Sequence, residues 1–218
     1  MLVRPDGRPI PPIAGAADIL IDNQTAPSTP AAGKSVLWVD ATTKKFVQTD
    51  DSGIRRGLIS RNVATAAQGL LATTEVYLTN SNILIPSFGM EAGQTYVWHI
   101  SVVKTGAGTA APIWTFRIGA AGAIGDTSRL ALTSTQAQTA VASDGILTAV
   151  LMVRSVSATG VIAGSGGSGG GPGFGGGGSG ASSTFDNTAL AGQFVGLTVT
   201  TGASAAWTVN GLTCYMLN

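Results

Sequence analysis

Apolar side chains recur at every second position in several short runs of this chain. Tyr96, Trp98, Ile100 and Val102 form one such run. Trp114, Phe116 and Ile118 form another, with Thr115 and Arg117 facing away. A period of two is the repeat of a β-strand that buries one face. Residues 75–79 alternate in the same way, with Val76 and Leu78 on one side and Tyr77 on the other. Residues 82–86 are a short apolar run closed by Pro86, and two more runs lie over 194–200 and 207–217. Turn residues such as Gly106-Ala107-Gly108 and Gly202-Ala203-Ser204 separate nearly all of these stretches. Many short strands at this spacing predict an all-β fold, an antiparallel β-sandwich or jelly roll, over residues 73–218. Residues 146–156 are apolar on both faces, the pattern of a central strand packed between layers. A strand is expected near 129–132, followed by a loop with a helical turn near 136–142.

Residues 1–72 read differently. The first thirty are rich in Pro, Ala and small polar residues, with one brief apolar run at Ile19-Leu20-Ile21. Proline cannot donate to a helix or sheet ladder, so this stretch predicts an extended arm that orders against a partner. Val36-Leu37-Trp38-Val39 and Phe46-Val47-Gln48-Thr49 then flank a polar connector, which predicts a small hairpin closed by a turn at Asp50-Asp51-Ser52-Gly53. An isolated hairpin is marginally stable, so this one is expected to pack on neighbours. Residues 54–72 fit either a short helix or a loop. Arg55, Arg56 and Arg61 there suit carboxylate contacts at an interface or a solvated linker. The expected division is therefore arm and attachment hairpin over 1–72, then a sandwich domain over 73–218.

Charge narrows the function. Charged residues are 11% of the chain, against roughly 25% in ordinary soluble proteins. Surface this poor in charge reads as surface buried against other copies or other proteins; a large Ser/Thr-rich polar surface is the alternative. The net charge of +1 leaves no electrostatic footprint for nucleic acid. Cys214 is the only cysteine and His99 the only histidine, so neither an internal disulfide nor a four-ligand zinc site can be assembled. Met1-Leu2-Val3-Arg4-Pro5-Asp6 lacks the apolar core of a signal peptide. No apolar run approaches the roughly 20 residues of a membrane-spanning helix. Neither membrane insertion nor a bound cofactor is expected.

Residues 164–180 are almost entirely Gly and Ser, with Pro172 and Phe174 inside. With few side chains to bury and the largest backbone entropy to lose, the tract reads as a flexible surface loop between two strands. The other reading is closely packed backbone, with Phe174 as an anchor at a subunit interface or receptor surface. Glycine does not recur strictly every third residue, which excludes a collagen helix.

Catalytic motifs fail on inspection. Gly33-Lys34-Ser35 imitates the end of a phosphate-binding loop, but Ser28 stands where that loop needs glycine, and a strand follows where a helix must. No βαβ pattern surrounds the glycine-rich tract, so dinucleotide binding is not expected. A Ser-His-Asp triad would have to run through His99, and nothing places Asp126 or Asp144 beside it. Glycosidase chemistry needs two carboxylates about 5–10 Å apart; the chain has Glu75, Glu91 and nine aspartates, several in expected turns. Trp38, Trp98, Trp114 and Trp207 all fall in alternating strands, which favours burial over sugar-stacking platforms. The chain is expected to be no enzyme, with no catalytic, cofactor-binding or metal-binding residues.

Two stretches carry a resemblance. Ala26-Pro27-Ser28-Thr29-Pro30-Ala31-Ala32-Gly33, the strand through Trp38, then Lys45-Phe46-Val47 and Asp50-Asp51-Ser52-Gly53 resemble the attachment segment of tailed-bacteriophage tail, fibre and baseplate proteins. Trp114-Thr115-Phe116-Arg117-Ile118-Gly119, Gly125-Asp126-Thr127-Ser128-Arg129-Leu130, Val153-Arg154-Ser155-Val156 and Ala205-Ala206-Trp207-Thr208-Val209 resemble a jelly-roll family of phage appendages. What the resemblance implies is a virion structural protein of the tail, fibre or capsid-decoration kind, assembled in the host cytoplasm. It also implies a homotrimer that docks on other virion proteins by its N-terminal region and points its C-terminal domain outward. Ile19, Ile21, Trp38 and Phe46 are the attachment residues expected on that basis, and Phe174 the outward loop residue. The alternative is a receptor-binding tail protein that recognises, or less readily cuts, host cell-surface glycan. The sequence departs from long fibres in lacking a coiled-coil or β-helical shaft, which favours a compact appendage.

Overall fold

The computed structural model describes residues 23–217 apart from 26, 42–45, 50, 52–54, 58–59, 72, 87–88, 134–137, 171–177 and 203–205. Ile19, Ile21 and Phe174 lie outside the described residues. Strands, turns and irregular backbone account for all that is described, with no helix among them.

The first four strands form a small sheet. Strands β1 (Asn23–Gln24), β2 (Val36–Asp40), β3 (Phe46–Thr49) and β4 (Arg55–Gly57) lie in chain order. The expected hairpin is β2–β3, antiparallel, with Trp38 opposite Val47. Strand β1 adds in parallel to β2, and β4 adds antiparallel to β3.

The remaining strands form a sandwich of two antiparallel sheets, the fold class that the alternation predicts. One sheet contains β5 (Ser60–Ala64), β6 (Gln68–Leu71), β9 (Thr95–Lys104), β12 (Ser143–Val153), β13 (Gly160–Gly170), β14 (Gly178–Phe185) and β16 (Trp207–Leu217). Its order is β14-β13-β12-β9-β16-β5, with β6 also on β16. The other has β7 (Val76–Tyr77), β8 (Ile83–Leu84), β10 (Ile113–Gly119), β11 (Thr127–Thr133) and β15 (Phe194–Thr200). Its order is β11-β10-β15-β7, with β8 also on β15. Strands β5 and β6 precede residue 73, in the stretch assigned to the attachment region, and both pair with β16 of the sandwich.

The alternating residues meet between the sheets. Tyr96, Trp98, Ile100 and Val102 of β9 face Phe116 and Ile118 of β10 and Leu197 of β15, all at most 1% exposed. The Trp98 and Phe116 rings lie 5.4 Å apart. All four tryptophans are buried in their own chain, at most 2% exposed, as the strand pattern indicates.

Three local expectations change. First, part of the glycine-rich tract is sheet, not loop. Gly164 lies in β13 opposite Leu151, and a Cβ there would sit 2.7 Å from Leu130 Cδ2 and 3.0 Å from Phe116 Cε2. Side chains of the opposite sheet occupy the space that β13 leaves, so glycine is what lets the layers close. Second, 146–156 is not covered on both faces: β12 sits between β9 and β13, but its burial alternates, and Ile146 and Met152 are 55% and 46% exposed. Third, of the helical turn expected at 136–142, residues 138–142 are described and are not helical. Long-range partners hold them instead. Gln138 N donates to Thr109 O, and Lys104 Nζ donates to the carbonyls of Thr139 and Val141, each at 2.7 Å. Burial of Lys104 holds its ammonium below the usual lysine range.

Candidate interaction surface

Of the expected attachment residues, Trp38 is the one whose side chain is described. Trp38 is 1% exposed, and its Nε1 donates to Thr49 Oγ1 at 2.9 Å. The ring is thus covered by its own chain. Its strand neighbour Leu37, on the other side, is 53% exposed. Phe46 pairs with Val39 in the backbone ladder.

The charged cluster on the outside of the smaller sheet is a clamp. Glu75 takes a bidentate pair from Arg117, at 3.0 Å from Nε and 2.7 Å from Nη2, and Thr198 Oγ1 donates to it as well. Arg117 Nη1 donates to the Asp126 carbonyl at 2.6 Å. The Asp126 carboxylate accepts the Ala121 and Ala123 amides, both at 3.1 Å. The Arg117 guanidinium, and after it Thr198, hold the Glu75 carboxyl below its ordinary 4.5, with desolvation opposing them. A general acid needs the opposite shift, so this pair locks β10 to the segment before β7 and offers no acid. The sign of the pH effect follows. A carboxyl depressed in the folded state stabilises above its ordinary 4.5 and loses that contribution as the pH falls through the lowered value. Glu75→Gln is therefore expected to be less stable at neutral pH and to show a shallower loss of stability below pH 4.5 in chemical denaturation.

A cleft of about 570 Å³ beside the β5–β6 turn is walled by Ala, Gly, Thr and Val, with Gln68, Asn80 and Tyr77. Tyr77 packs over Gly196, and burial, then the Asp126 charge, push its hydroxyl up to about 12. Among the described residues no group of three His, Cys, Asp or Glu side chains stands together as a metal site.

The outer face of the larger sheet has the features of a contact surface. The register places Met152, Thr95 and Leu217 in one row, Val150, Val97 and Tyr215 in the next, then Thr148, His99 and Thr213, and last Ile146, Ser101 and Gly211. Ile146, Met152 and Leu217 are each about half exposed. His99 Nε2 meets Tyr215 Oη at 3.1 Å, and Thr148 Oγ1 lies 3.4 Å from Nδ1. His99 thus sits on an exposed face between two hydroxyls, with Asp144 paired four residues along β9 at Val103 and Asp126 in its loop; no triad forms. Gly211 follows a register shift in β16 and lowers the floor. The resulting depression of about 430 Å³ is bordered by His99, Ile146, Val63 and Thr213. Sequence reading missed this face, because it took 146–156 for a doubly covered strand. The signal was present in the apolar residues at both parities of β12; only the strand order tells which parity is left outside.

No protein-family model matches the chain, and no curated protein matches it.

Proposed function

We propose that this chain is a non-enzymatic structural protein of a tailed-bacteriophage virion. It is a homo-oligomeric, threefold appendage docked on other virion proteins through its N-terminal region, with the sandwich facing outward. One observation carries the proposal: the four central rows of the outer face of the larger sheet hold no Lys, Arg, Asp or Glu and leave Ile146, Met152 and Leu217 open to solvent among small polar side chains. Six strands about 4.8 Å apart, the longest of eleven residues, span at most about 24 by 33 Å, roughly 800 Å². One partner in a standard protein interface contributes about 800 Å², so the face is of the size to bind another copy. The sequence resemblance supports the phage setting.

A second reading has its own observation in the depression beside His99, which suits a small polar ligand such as a glycan unit. The two readings separate cleanly, because a face buried between copies is closed to ligand.

The test measures the mass of the full chain by light scattering, and its place on particles by antibody labelling in the electron microscope. Ile146→Lys combined with Met152→Lys is expected to lower the assembly mass threefold with the strand circular-dichroism signal unchanged, since burying two unpaired cations opposes association. Label should appear at one fixed virion position. A wild-type monomer that turns over glycan would end the proposal.

A further inference from the structure

We infer that Asn210 is a self-modification site, where the backbone nitrogen of Gly211 displaces ammonia from the Asn210 side chain and leaves aspartate or isoaspartate. The inference does not rest on the proposed function.

Asn210 is the one asparagine of the chain that precedes glycine. Glycine has no Cβ, so it leaves the approach of its own nitrogen to the preceding side chain unobstructed and the backbone free to turn. The deprotonated nitrogen attacks Cγ of Asn210. A bond from nitrogen to Cγ forms, the bond from Cγ to Nδ2 breaks, and the amide takes up a proton and leaves as ammonia. The product is a five-membered succinimide. Water opens that ring at either carbonyl, giving aspartate or, with one more methylene in the main chain, isoaspartate. Water is the sole co-reactant.

The sheet leaves this dipeptide unusually free. Across to β9, Val209 pairs with Val102 and Gly211 with Ser101, so Asn210 is the extra residue of a bulge. On the other side of β16, Val209 pairs with Gln68 of β6 and Leu212 with Ala64 of β5, and the two residues between them fall in the gap. Asn210 is exposed, and its side-chain amide has no hydrogen-bond partner among the described residues. Other asparagines are held. The nitrogen that would attack Asn62, that of Val63, donates to Asn62 Oδ1 at 3.0 Å. Ser81 N, after Asn80, donates to Leu78 O at 3.0 Å. Asn82 Oδ1 accepts from Asn62 Nδ2 at 3.1 Å. Asn187 is fully buried, and Thr188 N donates to Asp186 Oδ1 at 3.1 Å. An N–H already donated resists deprotonation and cannot swing toward the side chain. Asp144-Gly145 could close the same ring, but Gly145 is paired on both sides, with Val102 and Gly170. The carboxylate formed at Asn210 stands at the rim of the depression beside His99, next to rows without Lys, Arg, Asp or Glu. The reaction thus marks an aged chain with a charge that a new one lacks.

The full chain and the Ile146→Lys, Met152→Lys face variant are held in warm, mildly alkaline buffer, digested at intervals and mapped by mass spectrometry. The peptide carrying Asn210 is expected to gain the mass of an amide exchanged for a carboxyl about tenfold faster than those carrying Asn62, Asn80, Asn82 or Asn187. Part of the product should be isoaspartate, and the rate should rise with pH as the attacking nitrogen loses its proton. Gly211→Ala is expected to slow the conversion about tenfold. A Cβ at Gly211 meets Ala64 O at 3.5 Å, an ordinary contact, so that variant keeps the fold. Conversion in the face variant with protection in the wild type also supports the inference, with a second copy then covering Asn210. Rates at Asn210 no faster than at the other four asparagines in both proteins, or a rate in the face variant that Gly211→Ala leaves unchanged, would overturn it.

Discussion

Trp98→Ala should lower the unfolding free energy of this protein by about 5 kcal/mol, the upper end of the range for losing a buried aromatic ring. Trp98 is fully buried at the centre of β9, with Tyr96 on one side at 6.4 Å and Phe116 on the other at 5.4 Å. Its Nε1 donates to the Ser81 carbonyl at 2.7 Å. Ser81 is itself buried, and its hydroxyl donates to Leu197 O and accepts from Leu197 N. The tryptophan therefore holds the loop before β8 as well as the layer contact. Truncation leaves a cavity and removes the partner of a buried carbonyl, and each effect destabilises. Trp98→Phe keeps most of the volume and loses the hydrogen bond, so about 1–2 kcal/mol is expected. Urea denaturation followed by circular dichroism gives both values. Domain stabilities of about 5–15 kcal/mol put the alanine variant close to unfolded. A loss under about 2 kcal/mol would show that the two layers do not depend on this contact.

Gly164→Val should cost about 1–3 kcal/mol, the usual result of adding volume to a packed interior. Valine otherwise favours strands, so propensity alone predicts the opposite sign. The new Cβ would meet Leu130 Cδ2 at 2.7 Å, Phe116 Cε2 at 3.0 Å and Leu132 Cδ1 at 3.4 Å. Leu130 and Leu132 could rotate only into a core that is already full, and Phe116 is completely buried. Gly167, three residues on, is the control. A Cβ there meets nothing within 4 Å, so Gly167→Val should be neutral or stabilising by about 0.5–1 kcal/mol, from the lower entropy of the unfolded chain. Thermal melts of the two variants should move in opposite directions. Equal, small effects would mean that the tract is not held against the opposite sheet.

These two residues mark the limits of reading the sequence. Trp98 announces itself, because large apolar side chains at every second position have one arrangement that buries them all on one side. The same logic located β9, β10, β15 and β16 and the hairpin β2–β3. It also favoured burial of the four tryptophans, in the core or at an interface, over open platforms. Gly164 announces nothing. A strand of Gly and Ser has no side-chain period to detect, and its backbone entropy argues for a loop until Leu130 and Phe116 are seen filling the vacancy from the other layer. Burial of Lys104 is hidden for a similar reason, since the carbonyls that receive its ammonium, on Thr139 and Val141, are 35 and 37 residues away. Strand β12 is the intermediate case. Its two apolar faces are legible, but strand order alone decides that one meets the core and the other meets water. Periodicity is a local property of the chain, and it states which residues can share a face. Which faces are covered, and which edges are left open, depends on contacts between strands far apart in sequence, so only the packed sheets decide them.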